Sequence, residues 1–150
     1  MKFRFPIVII DEDFRSENTS GLGIRALADA IESEGSEVLG VTSYGDLSQF
    51  AQQQSRASAF ILSIDDEEFS PGPDLDPVVV NLRSFINEVR RKNADVPIYV
   101  YGETKTSRHL PNDILRELHG FIHMFEDTPE FVARHIIREA KSYLEGVQPP

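Results

Sequence analysis

PIVII, residues 6–10, is a short run of proline and β-branched side chains with an acidic segment directly after it. A run of this length and composition is typical of a strand that is buried on both faces. Four further apolar runs of the same character follow along the chain: EVLGVT (37–42), AFILSI (59–64), VPIYVY (96–101) and GFIHMF (120–125). Together they predict five buried strands.

Helical patterns separate these five runs. The first has apolar residues at the spacing of one helix face, and Gly35 stands in the position of a C′ glycine that ends a helix. A shorter second helix is indicated by Leu47, Phe50 and Ala51. A third is predicted over 82–92, where a basic segment suits the negative end of the helix dipole, and a fourth after Pro111.

The last helical segment has recognisable ends. Thr128 is a favourable N-cap, and Pro129 follows at the first helical position. Gly146 is predicted to end this helix, ahead of two closing prolines that cannot continue it. We therefore place one domain at residues 1–147.

Strand and helix thus alternate along the whole chain. Right-handed crossovers between such units give a parallel sheet that is covered by helices on both faces, which explains the continuous apolar strands. We predict a doubly wound α/β domain with a five-stranded parallel sheet, flavodoxin-like or receiver-like, in the order 2-1-3-4-5.

Composition narrows the class of protein. A length of 150 residues fits one domain, and no apolar run approaches the length of a membrane span. The net charge of −10 argues against nucleic acid as a partner, because phosphate binding needs a basic face. The absence of cysteine excludes disulfides and thiolate metal sites and suits the cytoplasm. We expect a cytoplasmic protein with neither nucleic-acid nor membrane partners.

Acidic residues follow two of the predicted strands. Asp11, Glu12 and Asp13 come after the first strand, and Asp65 and Asp66 after the third. Since the carboxyl ends of parallel strands share one edge, these side chains could meet there, and oxygen-rich clusters suit Mg²⁺. Asp11, Glu12 and Asp65 are the metal candidates. We favour the interpretation that these acids are solvated loop ends. We therefore expect no metal, no cofactor and no catalytic residue in this chain.

A receiver domain places a phosphorylatable aspartate and a lysine at this edge, and the sequence departs from that pattern. Ser63 stands at the acceptor position, and Asp65 lies two residues further on. After the fifth strand, where a lysine would neutralise the phosphoryl group, the chain has Glu126 and Asp127. We predict that phosphotransfer is lost.

Flavin or nucleotide binding is a weaker alternative. NTSG, residues 18–21, could offer hydroxyls and amides to a phosphate, but the same residues make an ordinary helix N-terminus. The neighbouring acids would repel a phosphate, and the chain has no tryptophan to stack on a flavin ring.

Four histidines, His109, His119, His123 and His135, are predicted to be structural. His119 and His123 are four residues apart, but Gly120 between them opens a strand, so the spacing of helical metal ligands does not apply.

The C-terminal segment GFIHMFEDTPEFVARHIIREAKSYLEGVQPP (120–150) resembles the end of the N-terminal wing domain of bacterial pyridoxal-phosphate-dependent Orn/Lys/Arg decarboxylases. RALADAI (25–31), TSYGD (42–46) and NADVPIYVYGE (93–103) fall where that domain has corresponding elements. The chain looks most like the biodegradative arginine decarboxylases. The matching C-terminal residues are Glu126, Asp127, Thr128, Phe131, Ala133, Tyr143, Pro149 and Pro150.

The resemblance implies a non-catalytic domain of a larger enzyme. Residues 1–147 would be the receiver-like wing domain, and residues 148–150, with Pro149 and Pro150, would be the start of a stiff linker to a catalytic domain that this chain does not include. The family holds pyridoxal phosphate through a lysine that follows a histidine, and none of Lys2, Lys92, Lys105 and Lys141 does so. The cofactor is therefore implied for the parent enzyme. The implied partners are the catalytic domain of the same chain and further copies of the enzyme, since wing domains of this family help to join dimers into decameric rings.

Charge suggests how such assembly could depend on pH. Residues 1–75 hold 14 acids and 5 bases, a net charge of −9, whereas residues 76–150 have a net charge of −1. Crowded carboxylates repel a like partner at neutral pH, and protonation in acid removes the repulsion, which agrees with the acid-stress enzymes of this family. The assembly candidates are Asp11, Glu12, Asp13, Asp65, Asp66, Glu67 and Glu68.

The acidic, proline-rich loop 65–77 departs from the family pattern. A stand-alone atypical response-regulator receiver domain that acts as a signalling or interaction module is the alternative function.

Overall fold

The computed structural model of the protein describes seven stretches of the chain, and all structural statements concern these. They are residues 6–11, 13–42, 57–63, 76–92, 95–102, 110–123 and 126–147. The strands are β1 (Ile7–Ile10), β2 (Val38–Val41), β3 (Ala59–Ser63), β4 (Ile98–Gly102) and β5 (Gly120–His123). The helices are α1 (Thr19–Ser33), α2 (Asp76–Lys92), α3 (Asn112–Leu115) and α4 (Pro129–Val147).

The five strands form one sheet in the order β2-β1-β3-β4-β5. Every neighbouring pair is parallel, with Ile10 level with Leu62 and Leu62 level with Val100 across the three central strands. The predicted doubly wound fold and strand order are therefore confirmed. The predicted second helix, marked by Leu47, Phe50 and Ala51, lies outside the described residues.

Alternate residues of each inner strand point to opposite faces of the sheet and build two cores. In β3, Phe60 and Leu62 pack with α2 and α3, whereas Ala59 and Ile61 pack with α1 and α4. All four are buried. This double burial accounts for the lack of a polar alternation in the strand sequences.

The helix ends follow the sequence at two predicted positions and depart from it at a third. Gly35 follows α1 with a φ of 105°, as expected of a C′ glycine, and α4 begins at Pro129. The prediction that Gly146 ends α4 is wrong, because the helix includes Gly146 and ends at Val147. A glycine within a helix costs only about 1 kcal/mol relative to alanine, which 19 residues of amphipathic helix outweigh.

The basic end of α2 has a role beyond the helix dipole. The guanidinium of Arg90 donates to the carbonyl oxygens of Val96 (2.8 Å) and Glu117 (2.9 Å) and to the Glu117 carboxylate (2.8 Å). One side chain thereby joins α2 to the segment that enters β4 and to the turn before β5. Sequence analysis missed this role.

Candidate functional site

Ligands of doubly wound domains bind at the carboxyl edge of the sheet, so this edge is the candidate site. Asp11 follows β1 there, and only 4 % of its surface is exposed. Its backbone amide donates to the carbonyl of Val41 (3.0 Å), which ties it to the end of β2. Glu12 and residues 65–68 lie outside the described residues.

The predicted acids are hydrogen-bonded within their own loop. The Oδ1 of Asp11 accepts the backbone amide of Asp13 (2.7 Å), and the Oδ1 of Asp13 accepts the side-chain amide of Asn18 (3.2 Å). Backbone bonds from Phe14 to Asp11 (3.0 Å) and from Ser16 to Asp13 (2.8 Å) tighten the same turn. The two described carboxylates therefore shape the connection between β1 and α1.

The start of α1 completes this arrangement. Asn18 is the N-cap, and its side-chain oxygen accepts the amide of Gly21 (2.8 Å). One guanidinium nitrogen of Arg25 donates to the carbonyls of Phe14 and Ser16, both at 2.7 Å. Residues 18–21 thus make a capped helix N-terminus. This is the ordinary role that the sequence analysis set against phosphate binding by the same residues. The sequence carried no signal for the role of Arg25.

The positions of a receiver's phosphotransfer groups hold other chemistry. Ser63 is the last residue of β3 and is level with Tyr101 of β4. After β5, the carboxylate of Asp127 accepts the amide of His123 (2.7 Å) and lies 3.5 Å from the Nδ1 of the same histidine. An acidic side chain that closes a turn therefore stands where a phosphotransfer site needs a cation.

Tyr101 of β4 is buried near the same edge, and β3 separates it from the end of β1, where Asp11 lies. Burial, with a further contribution from the Asp11 charge, raises the pKa of the Tyr101 phenol to about 12. The phenol is therefore neutral at physiological pH.

A groove of about 290 Å³ opens between the beginnings of α1 and α4. Leu27, Ile122 and Val132 line its apolar floor, while His123 and Asp127 stand at the polar rim. No group of three or more metal-ligating side chains occurs here or elsewhere in the described stretches.

The histidines are distributed around the fold. His123 is at the carboxyl edge, His119 precedes β5 at the opposite edge, and His135 is on α4. The strand β5 runs between His119 and His123, as predicted from Gly120. His109 lies outside the described residues.

A hydrogen bond between His119 and the start of β4 depends on pH. Its Nδ1 accepts the backbone amide of Ile98 (3.4 Å), a bond that requires this nitrogen to be unprotonated. The pKa of His119 is lowered from its ordinary 6.5, mainly because burial disfavours the cation, and secondly because Arg90 is positively charged. Glu139 and Asp95 act in the opposite sense, and the positive charge of His135 adds to the lowering.

This shift predicts a loss of stability in acid. Because the folded state binds the proton of His119 less readily than the unfolded chain, the free energy of unfolding falls as pH drops through 6.5. We expect His119→Gln, which keeps an acceptor for Ile98, to lose less stability between pH 7.5 and pH 5 than the unchanged protein. Urea unfolding at both pH values measures the difference, which is small because the ring is partly exposed. An equal loss in both proteins would contradict the prediction.

No described helix combines the length and the apolar character that crossing a membrane requires. The fold, the capped loop after β1 and the acidic turn after β5 together define a receiver-like α/β domain.

The chain belongs to the Orn/Lys/Arg decarboxylase family: the model of the family's N-terminal domain matches residues 19–143. The family membership predicted from the sequence is thereby confirmed.

Two curated relatives are decarboxylases of basic amino acids. Lysine decarboxylase LdcA of Pseudomonas aeruginosa is 28% identical over 150 residues, which are 98% of this chain and 19% of that protein. The biodegradative arginine decarboxylase of Escherichia coli K12 is 23% identical over 146 residues, which are 96% of this chain and 18% of that protein. The chain therefore spans about a fifth of the length of these relatives.

Solved structures support the fold. Lysine decarboxylase A from Pseudomonas aeruginosa superposes with a TM-score of 0.82 at 24% identity, over 99% of this chain and 20% of that one. A response regulator receiver domain protein from Clostridium thermocellum superposes with a TM-score of 0.63 at 13% identity, over 95% of this chain and 99% of that one. The receiver-like architecture is thus shared with proteins of both kinds.

Proposed function

We propose that this chain is the non-catalytic N-terminal domain of a pyridoxal-phosphate-dependent decarboxylase of arginine, lysine or ornithine, and that it serves oligomer assembly. The observation that carries the proposal is the family match over residues 19–143 in a chain that spans about a fifth of its decarboxylase relatives. The remaining length of such a parent would hold the catalytic domain, in the cytoplasm. The family match favours this function over a stand-alone receiver module.

The residues of this chain do not fit pyridoxal phosphate. The cofactor needs a lysine in an enclosed site, and Lys141, the lysine whose side chain the structure describes, is exposed on α4. No lysine of the chain follows a histidine, as the cofactor lysine of the family does. We therefore place the cofactor and the chemistry in the remainder of the parent enzyme.

Assembly by this domain would be sensitive to acid through its carboxylates. Asp13 is half-buried in the loop after β1, and buried Asp11 would act indirectly, by holding that loop through the amide of Asp13. Protonation of carboxylates such as Glu12 and those of residues 65–68 would lower the repulsion between copies.

Deletion of residues 1–147 from the parent enzyme tests the proposal. We expect the deleted enzyme to sediment as dimers at pH 5, where the intact enzyme forms rings, because the contacts between dimers are lost. Activity of the deleted enzyme controls for folding of the catalytic part. Rings that persist after the deletion would refute an assembly role.

The same sedimentation measurement at pH 5 and pH 7.5 tests the acidic loop. Asp65, Asp66, Glu67 and Glu68 replaced together by their neutral amides should allow assembly at the higher pH. Assembly with unchanged pH dependence would exclude this loop from the mechanism.

A further inference from the structure

The solvent-facing side of the α1 and α4 layer carries two large apolar residues. Leu22 on α1 is 55% exposed and Phe131 on α4 is 68% exposed. Both lie in the first turns of their helices, which directly follow β1 and β5 and therefore begin at the same edge of the sheet. The two helices pack side by side against one core.

Charges of opposite sign follow these apolar residues along the two helices. On α1 the exposed residues Asp29 and Glu32 are acidic, and on α4 the exposed residues Arg138 and Lys141 are basic. None of the four has an ion-pair partner within the described parts of the chain. Two charged stripes of opposite sign thus lie next to each other without neutralising each other.

The spacing of the two stripes is the same. Asp29 and Glu32 come seven and ten residues after Leu22, and Arg138 and Lys141 come seven and ten residues after Phe131. At 1.5 Å per residue, the charges lie about 10 and 15 Å along each helix from its apolar residue. Ala26 comes four residues after Leu22, and His135 comes four residues after Phe131. A small side chain on α1 thus corresponds in position to a larger one on α4.

A second copy of the domain, related to the first by a two-fold axis parallel to the helices, would present a complementary pattern. Such a rotation lays α1 of one copy on α4 of the other in the same direction. Leu22 then lies opposite Phe131 and Asp29 lies opposite Arg138 of the second copy, each twice. Contact of one patch with the same patch defines an isologous interface.

The net charge of the chain favours this face over other surfaces for contact between two copies. At −10, two copies repel each other over most orientations, whereas the parallel stripes place acid against base. Glu130 and Glu145 flank the basic stripe on α4, and Arg134, which is also exposed, adds to it. By the same spacing Arg134 falls at the level of Arg25, whose guanidinium is engaged by the carbonyls of Phe14 and Ser16.

We propose that the α1/α4 outer face, formed by Leu22, Ala26, Asp29 and Glu32 with Phe131, His135, Arg138 and Lys141, is where two copies of this domain meet. The inference rests on the proposed assembly function and names the surface that performs it.

Sedimentation equilibrium of the 150-residue chain over a range of concentrations tests the proposal. We expect reversible dimers that dissociate as salt is raised, because the pairs are exposed. Asp29→Arg or Arg138→Asp alone should raise the dimer Kd about tenfold by setting like charges opposite each other at two symmetric places. The double variant, which exchanges the two charges, should recover the original Kd to within about threefold.

Arg91→Asp is the matched control, since it makes the same charge change at an exposed position of α2, in the other helical layer. The control should leave the Kd unchanged. A chain that stays monomeric at all concentrations, a control as damaging as Arg138→Asp, or a double variant without recovery would each overturn the proposal.

Measurements on the parent enzyme distinguish a failure of this inference from a failure of the proposed assembly role. Rings that are lost on deletion of residues 1–147 but survive Arg138→Asp would uphold the assembly role and reject the face. Rings that survive the deletion, in an enzyme whose isolated domain dimerises as described, would uphold the face and reject the assembly role.

Discussion

Replacement of Leu62 by alanine should lower the free energy of unfolding by about 2–5 kcal/mol. Leu62 is fully buried in β3, the central strand, and lies between Ile10 and Val100 of its neighbours. The truncation removes apolar burial and leaves a cavity that strands paired on both sides cannot close. Because a domain of this size is stable by about 5–15 kcal/mol, the loss is a large share of the total.

Urea unfolding monitored by circular dichroism measures this effect. Leu115→Ala is the matched control, because it makes the same chemical change in α3 at a side chain that is 40% exposed. We expect the control to cost less than about 1 kcal/mol. Equal losses at the two positions would contradict the central place of Leu62 in the core.

Gly21→Ala and Gly146→Ala should change stability in opposite directions, although both glycines are helical. A Cβ at Gly21 would collide with the backbone carbonyls of Ser16 and Asp13, whereas a Cβ at Gly146 meets nothing. We expect Gly21→Ala to cost about 1–3 kcal/mol, because the loop after β1 must shift. Gly146→Ala should gain up to about 1 kcal/mol through helix propensity.

Thermal unfolding of the two variants beside the unchanged protein measures both effects. If the loop after β1 were loosely held, Gly21→Ala would behave like Gly146→Ala and stabilise the protein. That outcome would refute the tight packing of α1 against its own entry loop.

Most of the architecture could be predicted from local patterns. The five apolar runs became the five strands in the predicted order, and Gly35 and Pro129 mark helix ends at the predicted residues. The prediction for Gly146 was wrong, because a glycine near the end of a helical pattern predicts a helix stop, whereas an actual stop of this kind also needs a backbone with positive φ.

The candidate site was harder to predict than the fold. The sequence places Asp11 and Asp13 at the end of a strand, where they could as well bind an ion. In the structure the Asp11 carboxylate accepts the amide of Asp13, and the Asp13 carboxylate accepts the side-chain amide of Asn18. Arg25 holds the same loop by donating to two of its carbonyls. These bonds depend on how the loop folds back over α1, and no periodic pattern encodes that geometry.

The strands and the described helices are determined by the sequence alone, because burial of apolar side chains repeats with the period of each element and can be read locally. The family was identified from the segments that resemble its N-terminal domain. Tertiary structure alone decided that Arg90 joins three segments, that Asp11 is buried, and that the stripes of α1 and α4 lie side by side. In each case the partners are far apart in the chain, and only packing on the sheet brings them together.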